Sequence, residues 1–521
     1  MNKYVSPSRV AASAEPMPGL ARTAAGMRAI DAPPLAPSAP LSQREVRTIL
    51  LSLLLTMFLA ALDQTIVATA LPTIGRQFND VASLSWIITA YLLASTAVAP
   101  VFGTLSDIYG RKAMIVVSLS LFIAGSVLCA LAPSMTVLII ARGLQGLGGG
   151  GIMPIVQTII SDVVSPRERG QYQAYFSGVW VAAGIGGPIL GGVFAEHLHW
   201  SMIFWINVPL ALLGLGLLLP RMKRIPVFHH RRKVDWLGGV LLMAAAVVFT
   251  LLLTWGGTRF PWFSAPAATM IGTTALLLLL FVWHALRAPE PFLPLPLMGG
   301  SVVPFAILAG GCALGTIVGL TVHLPIYYLS VYGLSASEAG LALIPLVAVS
   351  VCGAATSGRV MATLPRYKWI AILGTGSATA TGLVMMLASP LPLWALLSLL
   401  AVFAFGVGTT FPVSVVSIQN AVARPQVGTV TGAMNFFRAL MSSFAVAAMT
   451  AILLIALGTG GPGGEHLEAF RDVSAADMVA AFRYVFAAAV ALMVAAFACV
   501  LLMEERQLAG PAKSSAMDMA E

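Results

Sequence analysis

Charge is scarce in this sequence. Asp, Glu, Lys and Arg make up 9% of its 521 residues, where soluble domains carry about a quarter, and that shortage excludes an ordinary water-soluble protein. The 58% of hydrophobic residues and the mean hydropathy of +0.91 point to lipid as the solvent. A helix needs about 20 apolar residues to cross a bilayer, so the stretch from Thr48 to Met503 has room for many spans and for no large soluble catalytic domain. Cysteine is scarce too. Cys129, Cys312, Cys352 and Cys499 each sit in an apolar run and none belongs to a CxxC pair. That excludes a disulfide framework and a zinc site and leaves them as small core or lipid-facing side chains. No GxxxxGK[ST] sequence is present to cradle ATP, and no HExxH or Cys/His cluster to hold a metal or carry covalent catalysis. The acidic loop from Gly458 to Asp477 is too short for an enzyme. The expectation is a protein that is not an enzyme and has no cofactor or metal.

What is present is a succession of apolar runs. Hydropathy gives fourteen spans, the first at about 48–71, the sixth at about 200–219, the tenth at about 338–361 and the last at about 479–503. Residues 1–45, rich in proline and without an apolar run long enough for a signal peptide, read as a disordered tail. Of the 29 Lys and Arg residues, Arg142 and Arg438 fall within spans and Arg76, Arg259, Arg471 and Arg483 lie on the side opposite the N-terminus. The other 23 lie on the N-terminal side. By the positive-inside rule both termini are expected in the cytoplasm of a multi-pass protein of the cell (inner or plasma) membrane. The net charge of +9 thus reflects orientation in a lipid bilayer, and no nucleic-acid partner is expected.

The spans group as six, two and six. We read residues 46–220 as an N-terminal six-helix bundle, 221–300 as a basic linker with two inserted helices, 301–503 as a second six-helix bundle and 504–521 as a tail. The loop after the second span of each half carries a degenerate repeat. Gly103-Thr-Leu-Ser-Asp107-Ile-Tyr-Gly110-Arg111-Lys112 is matched by Gly358 and Arg366, which keep the glycine-to-arginine spacing of eight but lack the aspartate and the inner glycine. Such a remnant is what a duplicated transporter leaves.

Four motifs carry chemistry. In the first loop, glycines allow a tight turn and close helix approach. Asp107 can neutralise a helix N-terminus or pair with Arg111, a contact made in one conformation and broken in another, or the basic loop serves topology alone. The ordered Gly, Asp, Gly, Arg, Lys spacing resembles the signature loop between helices 2 and 3 of the major facilitator superfamily. Asp63, in Ala61-Leu-Asp-Gln-Thr-Ile-Val-Ala-Thr-Ala-Leu-Pro72, is an acid at membrane depth. Insertion there costs about 3 kcal/mol, so such a group faces the protein interior or a water-filled cavity, where it could take and release protons; a purely structural carboxylate is the other reading. This string resembles the first-helix motif of the fourteen-helix drug:proton antiporter branch of that superfamily, with Ala68 where asparagine is frequent. Arg142 and Gln145, three apart on one face of the fourth span, precede a glycine run from Gly146 to Gly151. The resemblance assigns proton coupling to Arg142; on physical grounds alone it could equally anchor its helix. Gly184-Ile-Gly-Gly187-Pro188-Ile-Leu-Gly191-Gly192 in the fifth span offers a kink and close packing. It resembles the antiporter motif of the family and favours export.

In the C-terminal half, Gln145's counterparts are sparse. His323, Asn435 and Arg438, with Gln145, are candidate substrate-cavity residues. Arg438 resembles an arginine common at this place in the branch, although Met441 and Ala445 replace the glycines that usually follow. The reading at this level is an all-α membrane protein of major-facilitator fold with fourteen transmembrane helices. It is a proton-coupled multidrug-efflux transporter in which Asp63 and Arg142 couple protons, Gly103, Asp107, Gly110 and Arg111 form a conformational latch, and amphipathic small molecules leave by alternating access. A periplasmic adaptor protein is a candidate partner. Still open are a same-fold transporter dedicated to one metabolite, exported or imported, and a non-transporting membrane receptor.

Overall fold

A computed structural model describes residues 43–80, 83–224, 233–257, 259–364, 366–458 and 473–508. The tail 1–42, most of the basic segment between Arg221 and Lys233, most of the acidic loop and the last thirteen residues of the C-terminal tail lie outside the described residues. Among those described the chain is helical, with no strand and a single isolated bridge between Gly256 and Phe260. A backbone N–H or C=O without a partner in lipid costs several kcal/mol, and a helix satisfies its own.

The N-terminal half comprises α1 (Gln43–Phe78), α2 (Leu84–Tyr109), α3 (Arg111–Ala130), α4 (Met135–Val163), α5 (Pro166–His197), α6 (Met202–Trp205) and α7 (Asn207–Leu218). The inserted pair is α8 (Trp236–Trp255) and α9 (Ala265–Ala285). After the short α10 (Leu295–Met298) come α11 (Val303–Tyr332), α12 (Ala336–Leu341), α13 (Ile344–Thr363), α14 (Lys368–Ala388), α15 (Leu393–Asn420), α16 (Val427–Ala456) and α17 (Ala475–Leu502). Thirteen described helical stretches are long and apolar enough to cross a membrane, and α6 with α7 (Met202–Leu218) supplies the fourteenth crossing.

Two expected single spans are interrupted. The sixth breaks at Ile206, where Pro209 lacks the N–H that would bond Trp205. The tenth breaks after Leu341, where Pro345 leaves that carbonyl without a donor. Local signals start the others: Ser134, Ser264, Asp235 and Ser474 cap α4, α9, α8 and α17 with their side chains, and Ser165/Glu168 and Ser335/Glu338 form capping boxes.

The halves repeat each other's packing. In the first, α2 and α3 pack on α4 and α1 packs on α5 and α7; in the second, α13 and α14 pack on α15 and α11 packs on α16 and α17. The halves meet along two corresponding seams, α2 against α16 and α5 against α13. Both seams close at the end of the bundle where α1 begins, which we call the terminal face. There a Cβ on Gly103 would lie 2.4 Å from the Gly428 carbonyl oxygen, and one on Gly358 would lie 2.2 Å from that of Gly170. Backbone meets backbone, so no larger residue fits either seam. The inserted pair leans on α2 and, through α8, also on α16. It is held to α2 at both ends, by Arg259 over the rings of Trp86 (6.0 Å) and Trp255 (5.3 Å) and by Thr104 donating to the Phe292 carbonyl at 3.5 Å.

Candidate functional site

Asp63 lies in α1 with no exposed surface, and four helices supply its surroundings. Its Oδ2 accepts from Arg142 Nη1 of α4 at 2.7 Å; its Oδ1 accepts from Gln145 Nε2 of α4 and from Asn207 Nδ2 of α7, both at 2.8 Å. Three donors face the carboxylate, so in each of these hydrogen bonds Asp63 is the acceptor. Arg142, 1% exposed, also donates through Nε to the Ile87 carbonyl of α2 at 3.0 Å and through Nη1 to Gln145 Oε1 at 2.7 Å. Its guanidinium lies 4.3 Å above the Tyr91 ring and 5.7 Å from that of Phe204. Ser126 of α3 accepts from Gln145 at 2.8 Å and so holds the amide in place. The result is a buried ion pair with most of its polar atoms used; the Tyr91 hydroxyl and Asn207 Oδ1 are buried without a partner.

The sequence explains the geometry. Arg142 and Gln145 are one turn apart and share a face of α4. The glycines that follow let α2 and α3 come close enough to deliver Ile87, Tyr91 and Ser126: a Cβ on Gly146 would meet the Tyr91 carbonyl at 2.5 Å, and one on Gly148 the Phe122 nitrogen at 2.3 Å. The break before α7 points Asn207 into the bundle, where it is fully buried.

The second cluster closes the α2–α16 seam. Asp107 Oδ1 accepts from Arg111 Nη1 at 2.5 Å and from the Gly428 N–H at 3.0 Å; its Oδ2 accepts from the Thr429 N–H at 2.6 Å and the Thr429 hydroxyl at 2.8 Å. Arg111 continues to Asp162 Oδ2 at 3.1 Å. A carboxylate of the first half therefore sits on the N-terminus of α16 in the second, where the helix dipole and free N–H groups favour negative charge. Gly103 provides the close approach, and Gly110, at φ 90°, turns the chain from α2 into α3 where an L side chain would be strained. Just outward of these contacts, Asn435 Nδ2 donates to Gln157 Oε1 across the halves at 2.8 Å.

The fifth-span glycines divide. Gly187 and Gly191 face α1, where added Cβ atoms would lie 2.1 Å from Thr65 Oγ1 and 2.2 Å from Thr69 Oγ1. Gly184 and Gly192 have open space around them and make no such contact. Pro188 lies inside the continuous α5 and leaves the Gly184 carbonyl without its helical donor.

The four candidate cavity residues do not come together. Gln145 belongs to the Asp63 cluster and Asn435 to the interface of the halves. His323 lies in α11, bonded to the Gly319 carbonyl at 2.7 Å and Thr450 Oγ1 at 3.0 Å. Arg438 bonds Ser414 Oγ at 3.0 Å. Sequence reading overlooked Asn207, Ser126, Gln157 and Asp162. Asn207 carried a legible signal, a lone amide in an apolar run. Asp162, next to last in α4, extends the second cluster through its buried ion pair with Arg111.

Residues 53–446 match the profile of the Major Facilitator Superfamily. Among curated proteins the chain is 33% identical over 413 residues to the efflux pump FUS6 of Gibberella moniliformis, covering 78% of this chain and 73% of that one. It is 30% identical over 499 residues to the efflux pump dotC of Dothistroma septosporum, covering 89% and 85%. Among solved structures, a bacterial homologue of the iron transporter ferroportin in an outward-facing state superposes with a TM-score of 0.60 at 14% identity, covering 89% of this chain and all of that one. That likeness concerns the fold. With its duplicated six-helix halves, its glycine-lined seams and a sequence match over most of its length, the chain belongs to the major facilitator superfamily of membrane transporters.

Proposed function

We propose that this transporter exports amphipathic drugs or toxic metabolites across the plasma membrane in exchange for protons, with both termini in the cytoplasm. The observation that supports this most is the Asp63–Arg142 pair. A buried ion pair is weak evidence for stability, since apolar replacements are often neutral or stabilising, whereas removing one partner is costly. Its retention at depth fits a working charge. In the proposed cycle the seams at the terminal face are shut as observed and solute leaves to the opposite side. Protonation of Asp63 then removes the negative charge that holds Arg142 and Asn207, loosens α1 from α4 and α7, and favours parting of the seams at Asp107 and Gly358. The naming of the relatives as efflux pumps and the α1-facing pair Gly187 and Gly191 support export over uptake.

The test uses purified protein in liposomes with an imposed proton gradient and a fluorescent amphipathic dye. Wild type should concentrate the dye and a protonophore should abolish the accumulation. Asp63→Asn, which keeps shape and most hydrogen bonds, should bind dye but not concentrate it. Full gradient-driven accumulation by Asp63→Asn would falsify the proton-site assignment.

A further inference from the structure

The halves differ in buried charge. Among the described residues Asp63 neutralises Arg142 in the first half. In the second, Arg438 of α16 is 7% exposed and has no carboxylate partner. Its guanidinium makes one hydrogen bond, Nη2 to Ser414 Oγ at 3.0 Å, and Nε is buried with no partner at all. None of α11, α13, α14, α15 or α16 contains an Asp or Glu that could serve. A second buried polar atom without a partner lies on α15. Thr410, one turn before Ser414 on the same face of α15, has a buried hydroxyl without a partner. The packing makes room for this arrangement, since a Cβ on Gly310 of α11 would come within 2.6 Å of Arg438 Nη2. The ring of Phe411 lies 5.9 Å from the guanidinium.

The place in the fold is suggestive in a specific way. Asn435, one turn before Arg438 on α16, makes the cross-half bond to Gln157. Arg438 therefore stands one turn outward of the Asn435 contact that joins the halves. A guanidinium so buried and unneutralised is costly on its own and favourable with an anion, because charge-assisted hydrogen bonds strengthen in low dielectric.

We propose that Arg438, Ser414 and Thr410 form an anion subsite, and that the solutes carried are amphipathic molecules bearing a carboxylate, phenolate or comparable anionic group beside an apolar body. This rests on the transport reading above and narrows its substrate class. The anion accepts from Arg438 Nε and from the Thr410 hydroxyl, and the Phe411 ring flanks the apolar part.

Two dyes of one ring system decide it: fluorescein, an anionic xanthene, and rhodamine 6G, a cationic one. Binding to purified protein is followed by fluorescence anisotropy, and transport in liposomes under a proton gradient. Wild type should bind and move fluorescein in preference to rhodamine 6G. Arg438→Gln should weaken fluorescein binding about tenfold or more and leave rhodamine 6G binding unchanged or tighter. Arg438→Lys should recover part of the loss. Thr410→Val, which keeps size and charge, should weaken fluorescein a few-fold and leave rhodamine 6G alone, and it stands in if Arg438→Gln does not fold. Preference for the cation, absence of fluorescein binding to wild type, or equal fluorescein binding by wild type, Arg438→Gln and Thr410→Val overturns the subsite. Fluorescein binding that depends on Arg438 without gradient-driven movement overturns the export reading and leaves the subsite standing.

Discussion

At the scale of single residues, Arg142 does three things at once: it donates to Asp63, to Gln145 and to the Ile87 carbonyl while resting on Tyr91. Lysine is a point charge without the planar fork, so Arg142→Lys should keep the ion pair, lose the Ile87 bond and retain partial transport. Arg142→Ala strands a buried carboxylate, at a cost of about 3–5 kcal/mol, and should lower the melting temperature and abolish gradient-driven transport. Transport by the alanine form at the wild-type rate would leave Arg142 as a helix anchor only. Asp107 acts elsewhere. Asp107→Asn keeps one oxygen for either the Gly428 or the Thr429 N–H, turns an NH2 group toward the other, and gives up the charge opposite Arg111. Solute affinity should stay within about twofold of wild type while the transport rate falls, because the conformational balance shifts and the binding residues do not. Equilibrium binding beside initial rates separates the two. Asp63 and Arg142 were legible in the sequence because a charge in an apolar run has few places to go, and Asp107 and Arg111 because of the ordered glycine, acid and base spacing of their loop. Their partners were legible to different degrees. Gln145 follows from a helical turn, whereas the Gly428 and Thr429 N–H groups belong to a helix more than 300 residues away and no local pattern announces backbone donors.

At the scale of helices, small residues decide what can touch. Leucine at Gly187 would be driven into Thr65 and the Ile66 backbone of α1, and Thr65 also donates to the Ala183 carbonyl at 2.8 Å. Gly187→Leu should therefore uncouple α5 from α1 and abolish transport, whereas Gly184→Leu and Gly192→Leu, which meet open space, should be tolerated; dye accumulation by the three variants checks this. The reading of the fifth span as one motif was too coarse, because helical periodicity sends Gly184 and Gly192 elsewhere. Spans were counted correctly from hydropathy, yet the interruptions at Ile206 and after Leu341 come from Pro209 and Pro345, which hydropathy averages away. Asp235, just outside α8, caps that helix through Gly238, accepts from Phe292 N–H at 3.0 Å and meets His284 at 2.7 Å. Partial burial pushes its carboxyl up, but the bonds from Gly238, His284 and Phe292 outweigh this and hold it below the ordinary aspartate range. A lowered folded value means stability that is present above about pH 3.9 and is lost as pH falls through the folded value. Asp235→Ala should thus lower thermal stability at neutral pH by about 1 kcal/mol, with the gap from wild type shrinking only on strong acidification.

At the scale of the whole molecule, the proposed cycle requires the two seams to part together, since rocking of one half against the other as a rigid body opens both. Gly103→Val cannot close the α2–α16 seam without displacing the Gly428 carbonyl. It should hold α5 away from α13 as well, so a cysteine placed at Met361 of α13, which is buried against Gly170 of α5, in a background free of the four native cysteines, should react with a soluble maleimide about tenfold faster than in the parent. Unchanged labelling would mean that the seams open independently. The grouping of spans and the repeated Gly103 and Gly358 loops pointed to two corresponding halves; which helices pair across the halves was hidden, because glycines that meet backbone look in sequence like glycines that meet lipid. The unequal buried charges of the halves have a further consequence for how such a protein changes over generations. In the proposed scheme one half holds the acid that answers to the proton gradient, and the other holds a buried cation among hydroxyls that meets the solute. Appetite for new solutes can then drift without disturbing the engine. Selection for growth on an unfamiliar toxic anion should collect its substitutions around Arg438 in α11, α15 and α16, and leave the neighbours of Asp63 untouched.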